Sequence, residues 1–572
     1  MSPQTTPAIV AQSAVRRLPR LALWLLCLAY ILPGFLARDP WRGNDMTAFG
    51  YMRALAQGQT DWLAPQLLGM APDNPGLLPY WLGAWAIQGL GPLLTPELAA
   101  RLPFIAMLVL SLVATWHGVY WLAHSRGAQP VAFAFGGEAQ PADYAHAIAD
   151  GALLALLACL GLAQPAHEIS CHLSQLCGTA LVFYALAASS PQAWRPVLAL
   201  AAGLGTLVLS GAPALALLYS LGGALLCWWE CTQARPDSSH TRRWAATVAL
   251  MGLLAGAIAL PLNLLHWQAT PPALADIGSL TRLLLWFPWP AWPLALWTVW
   301  RWRKQITHRQ PHRHLLLPLW FVLVGLGATL STPPSDRVLL LALPALAALA
   351  AFALPTLGRS VAALVDWFTL LFFSISAITI WVIWLSVQTG IPAKPAANVA
   401  RLAPGFMPEF SVLALLVALS ASAAWCVLVA WRAGRHRAAI WKSLVLPAAG
   451  ATLSWVLLMT LWLPILNYAR SDAPQSRAVV TALGQPSGCV YAHALSRTQV
   501  AALQYYGALA LQLLPQRGPT HTAHTTCDWL ITSHSYRLPE AWTGAWTEQA
   551  RITRPTDKTD VLIVYRRLTA RD

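Results

Sequence analysis

The sequence predicts a polytopic α-helical membrane protein carrying a small α/β domain at its C-terminal end. Three observations carry that prediction. Hydrophobic residues make up 57% of the chain and charged residues only 10%, where a soluble chain holds about a quarter charged residues. Apolar runs long enough to cross a bilayer, roughly 20 residues each, recur along most of the sequence. Beyond residue 467 the composition turns polar, with turn residues and short β-rich runs.

In chain order, thirteen spans are expected, near 21–37, 99–123, 150–165, 172–188, 196–209, 212–229, 243–265, 281–302, 314–331, 337–355, 360–386, 411–431 and 443–467. The first follows Arg16, Arg17 and Arg20 much as a signal peptide does. No small-x-small cleavage site comes promptly after it, so it reads as an uncleaved span. With the N-terminus inside, the inner loops hold eighteen Lys and Arg residues. The outer loops before the tail hold eight: Arg38, Arg42, Arg53, Arg101, Arg282, Arg337, Lys394 and Arg401. The asymmetry fits the positive-inside rule, and it accounts for most of the net charge of +15 without a nucleic-acid partner. The 30 tryptophans gather near span ends, as an interfacial belt does.

Residues 38–98 form an outer loop whose apolar positions recur at helical spacing in short pieces broken by Gly and Pro. Helices lying in the membrane interface fit that pattern. Residues 1–467 are therefore read as the membrane domain, with 38–98 as its interfacial loop, and 468–572 as an α/β domain on the outer face. Within the tail, "CVYAH", "CDWLITS" and "DVLIVYRRL" read as strands. "SRTQVAALQYYGALAL" reads as a helix with Ser496 as its cap. Cys489 and Cys527 lie beside predicted strands; a disulfide in an oxidising compartment and two buried thiols are both open.

The stretch from Asp45 to Pro103 carries a family resemblance. "RGNDMTAFGYMRAL" places an acid just after the first span, at the head of a short helical pattern. "GQTDWLAPQLLGMAPDNPGLLPYW" follows, and "ELAARLPFIAMLV" opens the second span. "GLAQPAHEI", "FPWPAWPLALW" and "SDRVLLLALPALAALAA" extend the order along most of the chain. This order resembles the bacterial lipid A aminoarabinose transferases and the wider protein-mannosyltransferase-like superfamily (glycosyltransferase families 39 and 83), which share the GT-C fold. Two departures stand out. The family's Asp-Glu pair reads Asp45-Met46 here, and its Glu-Lys-Pro-Pro reads Asp73-Asn74-Pro75-Gly76.

The resemblance implies a GT-C-like fold and a multi-pass protein of the bacterial inner membrane, with a periplasmic tail. It implies sugar transfer from a polyprenyl-phosphate carrier to a lipid, glycan or protein acceptor, among membrane lipids. Such transfer needs a carboxylate base within hydrogen-bond reach of the acceptor hydroxyl. It also needs cationic donors around the departing phosphate. Asp45 is the candidate base, with an N-cap role as its alternative. Asp73 is the second candidate carboxylate, or a turn former in "PDNP". For the phosphate, Arg337 comes first, where the family carries a basic residue, then Arg282, with Arg42 and Arg53 flanking the acid and Asn74 standing at the family lysine.

"HEISCH" invites a metal reading, and the family leaves room for a divalent metal, though no cofactor is specified. A zincin helix needs histidines at i and i+4, whereas His167 and His172 are at i and i+5. His167 and Glu168 are therefore read as cavity lining. Asp366 lies within a predicted span, where an acid is a functional candidate by default, but its nearness to the inner end favours a structural role. The competing functions are a polyprenyl-lipid or polysaccharide transporter or flippase, and a lipid-binding family member without turnover. A transporter is expected to show an internal repeat, and none is visible in the sequence.

Overall fold

The computed structural model describes residues 6–189, 193–233, 239–265, 276–307, 310–333, 335–433, 439–484, 488–514, 527–535 and 546–568. Every predicted span has a helix, but the helices differ in length. Eight among the described residues are long and apolar enough to cross a membrane, or nine if the bent pair 141–158 and 160–167 is one span. The expected count of thirteen is not reached on that measure. Arg20–Phe35, Trp194–Leu209 and Ile277–Trp286 are apolar but shorter, and the span expected at 281–302 is split around Pro288 and Pro290.

The first six helices frame the site: α1 (Arg20–Phe35), α2 (Asn44–Ala56), α3 (Leu78–Leu90), α4 (Pro96–His124), α5 (Pro141–Ala158) and α6 (Cys171–Ala188). α5 begins nine residues before the span expected at 150, because Pro141 at its first turn starts the helix there. Short helices α2 and α3 occupy the interfacial loop, as the broken apolar pattern suggests.

The bundle has a centre and a rim. The hydrophobic stretch of Ser335–Thr356 is 94% buried, and the helix Leu343–Ala353 within it is buried on every side, where its alanines admit close neighbours. The stretches of Arg359–Thr389 and Val412–Arg432 are only 22% and 11% buried, and their exposed faces are leucine, isoleucine and phenylalanine. Those two helices are lipid-facing. Asp366 on the first pairs with Arg432 on the second, so the intramembrane acid ties two peripheral helices together.

The tail is a five-stranded sheet in the order β2-β1-β3-β5-β4. Its strands are β1 (Cys489–His493), β2 (Ala510–Leu513), β3 (Trp529–Ser533), β4 (Trp546–Arg554) and β5 (Asp557–Arg567). β1 runs parallel to β2 and β3, and β5 runs antiparallel to β3 and β4. The helix Arg497–Tyr505 starts with a full capping box: Ser496 Oγ accepts from Gln499 N, and the Gln499 side chain accepts from Ser496 N. The helix ends before Gly507, and within "ALAL", read as its continuation, the chain instead enters β2 at Ala510. Pairing with β1 decides there, because alanine and leucine favour a helix in isolation. Cys489 and Cys527 form a disulfide across the ends of β1 and β3.

Candidate functional site at the outer end of the first helix

Asp45 is the second residue of α2, and it does not cap that helix. Gly43 occupies the cap, with a φ of +93° that lets the chain turn sharply into the first helical residue. The carboxylate points back into the protein and is 1% exposed. Its Oδ2 accepts from Trp41 N and from Arg38 Nη2, both at 3.0 Å. Its Oδ1 accepts from Ile169 N at 2.9 Å. One side chain thus joins the outer end of α1, the start of α2 and the turn before α6.

Arg38 is equally buried, and its Nη2 also donates to His167 O at 2.6 Å. Arg101, the arginine of "AARLP", is buried beneath it and donates through Nη1 to Phe35 O at 3.2 Å. Both guanidiniums keep further donors. Arg38 Nε and Nη1 and Arg101 Nε and Nη2 are buried with no partner among the described residues. Unsatisfied donors on two buried arginines are costly unless an acceptor meets them.

Glu168 forms a second ion pair one residue from the amide that holds Asp45. Arg337 Nε and Nη2 each reach one of its oxygens at 3.0 Å, a bidentate geometry. Asp336 takes Nη1 of the same arginine at 2.6 Å. Gln164 donates to Glu168 and accepts from Arg470, whose guanidinium lies 5.1 Å over the Trp41 ring. His167 is wedged between the carbonyls of Ala163 and Tyr30 and packs against Trp455. Gly34 makes that fit: a Cβ there would stand 2.2 Å from His167 Cδ2.

The structure therefore brings Asp45, His167, Glu168 and Arg337 together. It takes the other candidates elsewhere. Asp73 is exposed and drawn to Arg497 at 2.7 Å. Arg42 reaches Asp560 at 2.7 Å on β5, and Arg53 donates to Gln504 O and lies over Tyr505. Asn74 Oδ1 accepts from Gly76 N in a local turn. Arg282 is exposed on Ile277–Trp286, with no ion pair among the described residues. Arg38 and Arg101 went unselected in the sequence, though Arg38 stands at the end of the first span and Arg101 within the "AARLP" motif.

Metal binding is a poor fit to this donor set. Asp45 and Glu168 each have both oxygens on N–H donors. Among the described residues no group of three or more His, Cys, Asp or Glu is placed to hold an ion.

No family model matches this chain, and no curated protein does. Among solved structures it is similar to ArnT from Cupriavidus metallidurans bound to undecaprenyl phosphate. The TM-score is 0.61 at 14% identity, over 96% of this chain and 98% of that one. The apo state of the same protein aligns over the same shares with a TM-score of 0.60. The fold is the ArnT fold. This is the GT-C architecture that the Asp45–Pro103 motifs resemble, and the match takes in the α/β tail as well as the helices. Against the ArnT-type motif, Met46 stands where a second acid is expected, and it is fully buried in the core. The carboxylate nearest along the network to Asp45 is instead Glu168, from the turn before α6.

Proposed function

We propose that this protein is a bacterial inner-membrane glycosyltransferase that moves a sugar from a polyprenyl-phosphate carrier to a lipid, glycan or protein acceptor on the periplasmic face. Residues 1–467 form the membrane domain and 468–572 the periplasmic domain, a placement supported by the Cys489–Cys527 disulfide. The observation that carries the reading is the buried Arg38–Asp45 pair beside Glu168–Arg337 in an ArnT-like fold. The polyprenyl carrier is suggested by the undecaprenyl phosphate bound in the structural neighbour.

In this mechanism Asp45 is the general base. The acceptor O–H proton passes to its carboxylate while the acceptor oxygen bonds to the anomeric carbon. The bond from that carbon to the carrier phosphate breaks, and its electron pair stays on phosphate. Trp41 N and Ile169 N are fixed by the backbone, so the donor that an acceptor hydroxyl displaces from Asp45 is Arg38. A displaced Arg38, with Arg101, presents donors to the phosphate, where negative charge accumulates. Arg337 orients Glu168, since two carboxylates already share its guanidinium.

The test is transfer by purified protein in nanodiscs, with a panel of polyprenyl-phosphate sugars, for wild type, Asp45→Asn and Arg38→Ala. Transfer by wild type that collapses in Asp45→Asn is the expected result; full transfer by Asp45→Asn removes Asp45 as base. The saturation of Asp45 by three donors favours a second reading, a lipid-binding protein without turnover. Undecaprenyl phosphate binding with no transfer from any donor selects that reading.

A further inference from the structure

A lateral cavity of about 1310 Å³ opens between α1, the helix Val412–Ala433 and the helix Val445–Leu458. It follows α1 from Ala22 to Pro33, a path of about 17 Å. Its wall is apolar, with Leu25, Leu416 and Trp431 among the lining residues. The two hydroxyl residues in the wall, Ser420 and Thr452, donate to Leu416 O and Ala448 O of their own helices, so neither offers its proton to the cavity. Among the described residues the only charged ones in the lining are Arg16 and Arg17, both at the inner end, and none is a carboxylate.

The backbone that carries these arginines is anchored on both sides of them. Trp441 Nε1 donates to Arg16 O at 2.7 Å, and Leu18 N donates to Asp150 Oδ2 at 3.4 Å. Trp441 also stacks with Trp431, at an interplanar angle of 2°, beside the mouth. Arg17 shares an exposed pair with Asp143, whereas Arg16 has no ion pair among the described residues. An apolar groove open to the bilayer, with two cations on an anchored backbone at one end, fits a lipid whose negative headgroup lies at that end. On the inner leaflet, where anionic lipids collect, such cations favour a negative headgroup. The charge position argues against the carrier of the proposed reaction, whose phosphate must act at the outer end, where this cavity has no cation.

We propose that this groove is a selective site for one anionic diacyl phospholipid of the inner leaflet, its phosphate against Arg16 and Arg17 and its chains along α1. The inference stands apart from the transferase reading. It is tested by native mass spectrometry of the full-length protein with phosphatidylglycerol, phosphatidylcholine and undecaprenyl phosphate. Wild type is expected to retain one phosphatidylglycerol with at least tenfold preference over phosphatidylcholine. Arg16→Gln with Arg17→Gln lowers that retention to the phosphatidylcholine level, and Ala421→Trp, which fills the groove, excludes the lipid with both arginines intact. Equal retention of the two phospholipids by wild type overturns the proposal. So does undiminished phosphatidylglycerol in the double arginine variant, or its displacement by equimolar undecaprenyl phosphate. The arginine side chains are exposed, so that variant keeps the test valid should Ala421→Trp fail to fold.

Discussion

Two buried ion pairs of similar geometry do different things in this molecule. Arg38–Asp45 lies at the outer end of the bundle, and Arg554–Asp472 lies where the tail meets it. The tail pair is closed on the arginine side: Nη1 meets Asp472 at 2.7 Å, and Nη2 meets the carbonyls of Ala469 and Ser471. Burial lifts the Asp472 carboxyl from 3.8 to about 6 and lowers Arg554, so desolvation there exceeds the mutual attraction. The Asp45 pair joins three chain segments and leaves donors on Arg38 and Arg101 without partners. A pair kept only for folding has no need of spare donors, whereas one that handles a polar substrate does.

The sharpest way to break this contrast is Asp45→Asn. The isosteric change is expected to lower sugar transfer by about 10²–10⁴-fold, with carrier binding retained in the same preparation. Next in size, Arg38→Ala leaves a buried carboxylate short of its cation and is expected to cost about 3–5 kcal/mol of stability, read from denaturant unfolding in detergent. The matching control replaces both tail partners, Asp472→Leu with Arg554→Met. It is expected to leave stability unchanged or raised and transfer intact; a loss of transfer would erase the distinction between the two pairs.

A smaller effect is a pH slope. Because the folded state holds the Asp472 proton more tightly than the unfolded chain, this group's stabilising contribution is full below 3.8 and is lost as pH rises through about 6. Its size is at most about 3 kcal/mol. Thermal unfolding between pH 4 and 7 should show that slope in wild type and a flatter one in Asp472→Asn. Smallest is Gly34→Ala, whose Cβ meets His167 Cδ2 at 2.2 Å. Overpacking there is expected to cost about 1–3 kcal/mol and to disturb transfer; an unaltered melting temperature would show that the His167 wedge yields.

The membrane class, the helical outer loop and the mixed tail were legible because they rest on composition and periodicity, which are local. The Ser496 capping box was legible for the same reason, since both partners lie within one turn. Asp45 stood out through motif order, but its surroundings did not. Ile169 lies 124 residues away and contributes only a backbone N–H, for which no side-chain code exists. Arg38 looked like one more cation at a span end, and only burial separates it from Arg282. β2 was misread because a short Ala-Leu run has no strand signature of its own, and its partner β1 sets it. The span count exceeded the long helices because an apolar run reveals neither where a helix stops short, as at Arg20–Phe35 and Trp194–Leu209, nor where proline splits it, as at 281–302.

Arg42 gives the architecture a dimension of time. Three residues before Asp45, its amide donates to Arg470 O, and its guanidinium reaches Asp560 on β5, far along the sequence. The first outer loop is thus latched by the last strand of the tail sheet. A nascent chain that has already inserted every helix still lacks this latch, and a truncated product would carry Asp45 without it. The loop that bears the acid is complete only once β5 has been made and has docked.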